Sequence, residues 1–220
     1  MKELAQSIRH EPRWPVVLAI LGVLFVLTLL PARIRLLPAW TLYALGIAML
    51  VPIAGVWLSS ADARWLRVER ATTLVLSLLA EAVTFTTLLY LVVAMLNRPE
   101  DFSGRQLLTS SIGAWVTNVL VFSLVDWQID RGGPEARIND ARTRPDWLFP
   151  QVGVPELVPP QWRPTYVDYL SLAFSTATAF SPTDVLPLTS RAKLLMMIES
   201  AVSLVTIVTV AARAINLLSG

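Results

Sequence analysis

The sequence predicts an all-α integral membrane protein with five transmembrane helices, plus a re-entrant helix and loop between the last two. Three observations predict it. The chain has 220 residues, 55% of them hydrophobic and only 15% charged, with a mean hydropathy of +0.59. Five apolar runs each come near the ~20 residues needed to cross ~30 Å of hydrocarbon. Between the fourth and fifth runs lies an apolar stretch too short to cross, residues 166 to 176, "YVDYLSLAFST".

The elements follow in order. Residues 1 to 13 are polar, and Trp14 and Pro15 open the first helix (14 to 30), with Trp at the interface and Pro where its missing N–H is harmless. This run lacks a small-residue cleavage site and leads through "LLPARIRLLP" into another apolar run, so it reads as a mature helix rather than a secretory signal. Pro31 and Pro38 bracket a turn carrying Arg33 and Arg35. The second span, 38 to 58, holds Pro52 between Gly46 and Gly55, where a packing kink is expected. "SSADARWLRVER" (59 to 70) reads as a polar connection to the third span, 71 to 96, which completes a three-helix region over 14 to 96. A second connection, 97 to 106, leads to the fourth span, 107 to 127. Residues 128 to 164 then hold seven prolines, three glycines, and five arginines against five acids, with no long helical period. That composition predicts an irregular cap outside the hydrocarbon, with Trp147, Phe149 and Trp162 docking it onto the membrane surface or a neighbouring subunit. The last span is 190 to 217.

Several function classes are disfavoured. Cysteine is absent and the single histidine, His10, precedes the first span, so thiolate sites and intramembrane histidine chemistry are not expected. No nucleophile and base pair, metal cluster or phosphate loop is visible, and Gly132-Gly133 alone signals a turn. The expectation is therefore no enzyme, no catalytic residues, no metal and no cofactor. The net charge of +2 carries no basic stripe with interleaved aromatics, so nucleic acid is not an expected partner, and the lipid bilayer is.

The short stretch raises a physical question. Backbone polar groups in lipid must be satisfied, so a half-membrane excursion survives only when buried in protein or lining a watery cavity. Eleven residues at 1.5 Å each make a helix of about 16 Å, roughly half the bilayer core. Its C-terminus points inward, and the negative end of its dipole favours a cation there.

"LSLAFSTATAFSPTDVLPLTSRAKLLMMIESAVSLVTIVTVAARAI" resembles the pore helix, selectivity filter and inner helix of the two-helix potassium-channel pore domain. That family's filter reads threonine, any residue, two threonines, valine, glycine, tyrosine, glycine, aspartate, then two apolar residues and proline. Here the matching positions are Thr176, Ala177, Thr178, Ala179, Phe180, Ser181, Pro182, Thr183 and Asp184, with Pro187 after them. The alternate threonines, the aspartate and the proline agree. Arg191 at the start of the inner helix, Glu199 within it and Arg213 near its end also fit the resemblance. It covers about residues 107 to 217: outer helix 107 to 127, pore helix 166 to 176, filter-like loop 177 to 187 and inner helix 190 to 217. The whole chain looks similar to a group of bacterial channel-related membrane proteins with an "AFSPTD" filter.

The departures limit what the resemblance implies. A potassium filter strings backbone carbonyls around dehydrated ions. Its two glycines are Ser181 and Thr183 here, and its tyrosine is Pro182, whose φ is locked. Pore architecture carries over and potassium selectivity does not. The resemblance implies a homotetramer in the cell membrane that passes monovalent cations with weak selectivity. In it, Thr176 and Thr178 hydroxyls and Asp184 carboxylates form rings, with a constriction at Phe180. It also implies residues 128 to 189 outside and a cytoplasmic C-terminus, although Lys and Arg near the span ends are almost evenly divided. One alternative is a non-conducting scaffold or sensor with the cap as its interaction surface and Phe180 and Pro182 plugging the axis. Another is a proton-coupled transporter using Glu81.

Polar residues inside the spans are the remaining candidates. Glu81 lies mid-way along the third span at a cost of ~2.5 to 3.5 kcal/mol, so it should face protein or water, either as a proton or ion site or hydrogen-bonded to a group such as Thr84. By the resemblance, Glu199 sits behind the filter as a brace. Ser200, Ser203, Thr206 and Thr209 recur every three residues in the last span, a spacing that suits either close helix packing or pore lining. Asn118 and Asp126 read as packing and interface residues. Asp168 sits in the first turn of the short helix, where the dipole favours its charge.

Overall fold

In the computed structural model, which describes residues 11–29, 38–59, 63–97, 104–138, 144–160, 162–179 and 184–218, the chain is nearly all helical, with seven α-helices among those residues. They are α1 (Trp14–Leu29), α2 (Ala39–Leu58), α3 (Ala63–Asn97), α4 (Gly104–Ile129), α5 (Pro134–Ile138), α6 (Tyr166–Ala179) and α7 (Ser190–Leu218). Four of them, α2, α3, α4 and α7, are long and apolar enough to cross a membrane. The fifth expected span differs: α1 has 16 residues, about 24 Å of helix against ~30 Å of hydrocarbon.

Helix α4 is the centre of the bundle and packs against α1, α3, α6 and α7, while α2 lies outside, on α1 and α3. Two contacts fix α3 antiparallel to α4. The Arg70 guanidinium donates to the Gly132 carbonyl at 2.5 Å at one end. Leu88 packs with Ala114 and Val202 toward the other. On α3 the buried positions Glu69, Thr73, Ser77, Glu81, Thr84 and Leu88 fall at three- and four-residue spacing, which puts them on one face. The opposite face carries exposed Val75, Leu78, Leu79 and Phe85. The bundle therefore shows apolar side chains outward and polar ones inward, the arrangement that a hydrocarbon solvent favours.

Several expected boundaries move. Residues 63 to 70, expected as a connection, form the first two turns of α3, because Glu69 is buried there in an ion pair with Arg13 at 2.9 Å. The same turns place Trp65 against α2 at Gly55, where an added Cβ would lie 2.3 Å from the indole. Pro52 sits inside the single continuous helix α2. Helix α6 runs past the expected end at 176 to Ala179, so Thr178 and Ala179 belong to its last turn rather than to a loop. The expected turn around Arg33 and Arg35 lies outside the described residues, as do Phe180, Ser181, Pro182 and Thr183.

Helix α4 stops at Ile129 because the next residues turn left-handed: Arg131, Gly132 and Gly133 have φ of 52°, 85° and 104°. The cap that follows is irregular, as expected, built from 3₁₀ turns, short α5 and a two-stranded antiparallel ladder, β1 (Trp147–Leu148) with β2 (Leu186–Pro187). Two of its three aromatics turn inward instead of outward: Trp147 and Phe149 are buried, edge-on to Tyr169 at 6.4 and 5.3 Å, while half-buried Trp162 packs on Phe149 at 6.1 Å. Each such pair adds ~0.5–1.5 kcal/mol beyond the area it buries.

Candidate functional site

Helix α6 begins at the cap and ends in the middle of the bundle. At its start, Tyr166 meets Trp127 edge-on at 6.2 Å and its hydroxyl is 2.7 Å from Ser123 Oγ. Toward its end, Phe174 meets Trp115 at 5.7 Å, and the Trp115 indole N–H donates to the Ala177 carbonyl at 3.5 Å. From Trp127 to Trp115 along α4 is about 18 Å, so α6 descends antiparallel to α4 by that depth. The chain is back at the cap by β2, where the Leu188 N–H donates to the Asp146 carbonyl at 2.7 Å. Helix α7 then descends in turn, and ten residues in, Ser200 Oγ donates to the Thr176 carbonyl at 3.5 Å. Two of the last four carbonyls of α6, those of Ala177 and Thr176, thus receive long side-chain hydrogen bonds, one from α4 and one from α7.

The start of α6 is capped by its own residues. The Thr165 N–H and hydroxyl both donate to Asp168 Oδ2, at 2.7 and 2.9 Å. Asp168 is thus structural, the reciprocal arm of a capping box whose Thr165 precedes the first helical residue. Of the residues expected to face an ion pathway, Thr176 is buried between α6 and its neighbours, whereas Thr178, Ala179 and Asp184 are exposed. Thr178 back-bonds to the Phe174 carbonyl at 2.6 Å.

A polar latch that sequence reasoning missed ties the cap to the starts of α6 and α7. Asp146, fully buried, accepts from Arg191 Nε at 2.6 Å and Nη2 at 2.5 Å, and from the Thr189 hydroxyl at 2.6 Å. Its N–H donates to Asp130 Oδ1 at 2.7 Å, and the Tyr169 hydroxyl donates to Asp130 Oδ2 at 2.6 Å. Burial raises the pKa of the Tyr169 phenol, so it stays a neutral donor. Arg137 donates to the Trp127 carbonyl at 2.7 Å, pairs with Glu11 at 3.3 Å and stacks over the Tyr169 ring at 4.9 Å. Glu11 also accepts from the Trp127 indole at 2.7 Å and the Tyr166 N–H at 2.9 Å. The balanced arginines and acids of residues 128 to 164 were the one signal for such a latch. They do not say which acid meets which base.

Deeper in the bundle, Glu81 on α3, Asp126 and Asn118 on α4, and Glu199 and Ser203 on α7 are all buried. Asn118 Nδ2 donates to the Glu199 carbonyl at 3.1 Å and to Ser203 Oγ at 2.8 Å, which pins α4 to α7. Thr206 and Thr209 are buried on the same side of α7, so the serine and threonine stripe faces the inside of the bundle. Neither carboxylate oxygen of Glu199 or of Glu81 has a protein partner. The bracing bond expected of Glu199 and the Thr84 bond expected of Glu81 are both absent, and the Thr84 hydroxyl donates instead to the Ala80 carbonyl at 2.9 Å. Among the described residues, Glu81 is the one polar residue lining an apolar crevice of about 350 Å³ between α3, α4 and α7.

Comparison with protein-family models, with curated proteins and with solved structures finds no match to this chain.

Proposed function

We propose that the chain is one subunit of a homotetrameric, multi-pass membrane channel of the potassium-channel pore architecture, with a filter-like loop that lacks the glycines of a potassium filter. In this reading α4 is the outer helix, α6 the pore helix and α7 the inner helix. Helices α1 to α3 flank the pore, and α1 with its adjoining residues makes the fifth crossing. The cap lies outside and the C-terminus in the cytoplasm. The observation that carries the reading is the half-depth course of α6. It leaves the cap, ends beside Trp115 and Ser200 with the Ala177 and Thr176 carbonyls met by their donors, and the chain returns to the cap at β2.

Further support comes from what the subunit leaves uncovered. Thr178, Ala179 and Asp184 are exposed around the loop that joins α6 to β2, so in a fourfold assembly they are free to meet their symmetry mates. The C-terminal end of α6 carries partial negative charge and favours a cation near the bilayer middle. Without a glycine filter to replace a full hydration shell with carbonyls, cations pass with weak selectivity.

The test is flux into liposomes carrying the purified full chain, with potassium, sodium and chloride compared and Asp184→Asn beside the parent. Potassium and sodium flux of similar size, reduced several-fold by Asp184→Asn, with little chloride flux, is the expected result. A folded tetramer that passes no ion under any gradient refutes conduction and leaves the non-conducting scaffold or sensor.

A further inference from the structure

Buried carboxyl oxygens without a partner gather in the interior of the bundle. Glu199 is 0% exposed and neither of its carboxylate oxygens has a partner. The same holds for both oxygens of buried Glu81 and for Oδ1 of buried Asp126. Asn118 adds one more acceptor. Its Nδ2 is bonded to the Glu199 carbonyl and to Ser203 Oγ, while its Oδ1, on the same carbon and so in the same space, is buried without a partner. Ser77, one turn before Glu81 on the buried face of α3, has a hydroxyl with no partner.

These groups are neighbours. Asp126 and Glu81 both lie within electrostatic reach of Glu199, and Asp130 and Asp146 within reach of Asp126. No cation faces Glu199 from α3, α4 or α6 among the described residues. The two nearest the cap end are engaged elsewhere: Arg191 is held by Asp146, and Arg137 by the Trp127 and Asp130 carbonyls and Glu11. The end of α6 adds further negative potential, because Ser200, next to Glu199, reaches the Thr176 carbonyl. Ionised carboxylates in such a place are costly unless something positive joins them. Among the described residues no group of three or more acids or histidines converges closely enough to hold a metal ion. A proton needs only one carboxyl at a time; it removes the charge and turns a partnerless carboxyl oxygen into a donor that Asn118 Oδ1 can accept.

We propose that Glu199, Glu81 and Asp126 form a proton-binding site between mid-depth and the cap within each subunit, with Asn118 Oδ1 as the acceptor beside Glu199 and at least one of the three held as a carboxylic acid at neutral pH. The site is built inside one subunit and does not depend on the pore reading. Its loss of protons places like charges between α3, α4 and α7, so the packing of those helices against the end of α6 follows its occupancy.

Infrared spectroscopy of the full chain in lipid, recorded at neutral pH in the absence and presence of added sodium or potassium, tests it. The expected result is a protonated-carboxyl C=O band that loses intensity in Glu199→Gln, survives in Glu199→Asp and is insensitive to either salt. Glu81→Gln, at the crevice rather than sealed among helices, supplies the same comparison where Glu199→Gln does not fold. A folded parent with no such band overturns the proposal, as does a band that Glu199→Gln, Glu81→Gln and Asp126→Asn each leave unchanged. A band abolished by sodium or potassium overturns it too, in favour of a metal-cation ligand. Because the readout is not flux, its failure is separate from failure of the channel reading.

Discussion

Removing one oxygen from Tyr169 isolates the energetics of the cap latch. The ring of Tyr169 packs edge-on to Trp147 and Phe149 at 6.4 and 5.3 Å, and phenylalanine keeps both contacts. What Tyr169→Phe removes is the hydroxyl that donates to Asp130 Oδ2 at 2.6 Å in a fully buried site. The backbone N–H of Asp146 still serves Oδ1, but Oδ2 loses the donor it had. A hydrogen bond to a charged group contributes ~1.5–3 kcal/mol, so a loss of about 2 kcal/mol is expected. Tyr166, one turn away on the same helix, is the internal standard. Its hydroxyl pairs with a neutral group, Ser123 Oγ, at 2.7 Å, and Ser123 keeps the Leu120 carbonyl as its acceptor at 2.8 Å. Tyr166→Phe should therefore cost about 1 kcal/mol. Equilibrium unfolding of the full chain in mixed micelles, followed by tryptophan fluorescence and helical circular dichroism, measures both. Detergent and membrane effects are common to the two variants and cancel in the comparison. If Tyr169→Phe costs no more than Tyr166→Phe, Asp130 is not a buried charge that depends on that hydroxyl, and the account of the latch is wrong.

Two backbone positions give sharper tests of packing in the same assay. Gly133→Ala forces a side chain into φ +104°, ψ 175°, with its Cβ 3.1 Å from the Gln128 carbonyl, and should cost about 1–3 kcal/mol; Gly153→Ala, where nothing lies within 4 Å, should be close to neutral. Gly55→Ala puts a Cβ 2.3 Å from Trp65 Cε3 and should cost about 1–3 kcal/mol, largely recovered when Trp65→Leu is added; additive losses in the double variant would show that α2 and α3 do not meet there.

The sequence marked the four long helices α2, α3, α4 and α7 and the short helix α6, because each is a long or conspicuously short apolar run between polar or proline-rich residues, but it expected a full span where α1 has 16 residues. It misplaced the start of α3. Arg64, Arg67, Glu69 and Arg70 look like a connection by composition, yet the buried Arg13–Glu69 pair at 2.9 Å makes that segment helical and inward-facing. It also sent the cap aromatics outward, since nothing local distinguishes a tryptophan bound for an interface from one bound for Tyr169. The latch was legible only as a balance of arginines and acids, without its pairings. Asp130, Asp146 and Arg191 are distant in sequence and meet through a turn, a two-residue ladder and a helix start, none of which has a period to detect.

The candidate site shows the same limit in a more useful form. On α3 apolar residues occur all round, so apolar spacing does not reveal the buried face, whereas the polar positions Glu69, Thr73, Ser77, Glu81 and Thr84 trace it. On α7 the stripe Ser203, Thr206 and Thr209 allowed either packing or pore lining, and the bond from Asn118 to Ser203 turns it toward α4. The face left over on α7 carries Leu194, Met197, Leu204 and Val208, all exposed. If four subunits surround an axis, the inner-helix surface available to it is therefore hydrophobic, and a constriction of that kind gates by dewetting rather than by binding an ion. In that reading the polar groups left to meet an ion are at the ends of the descent, at Thr178 and Asp184, both exposed. That is why Asp184→Asn, rather than a substitution on α7, is the change that separates a conducting loop from a sealed one.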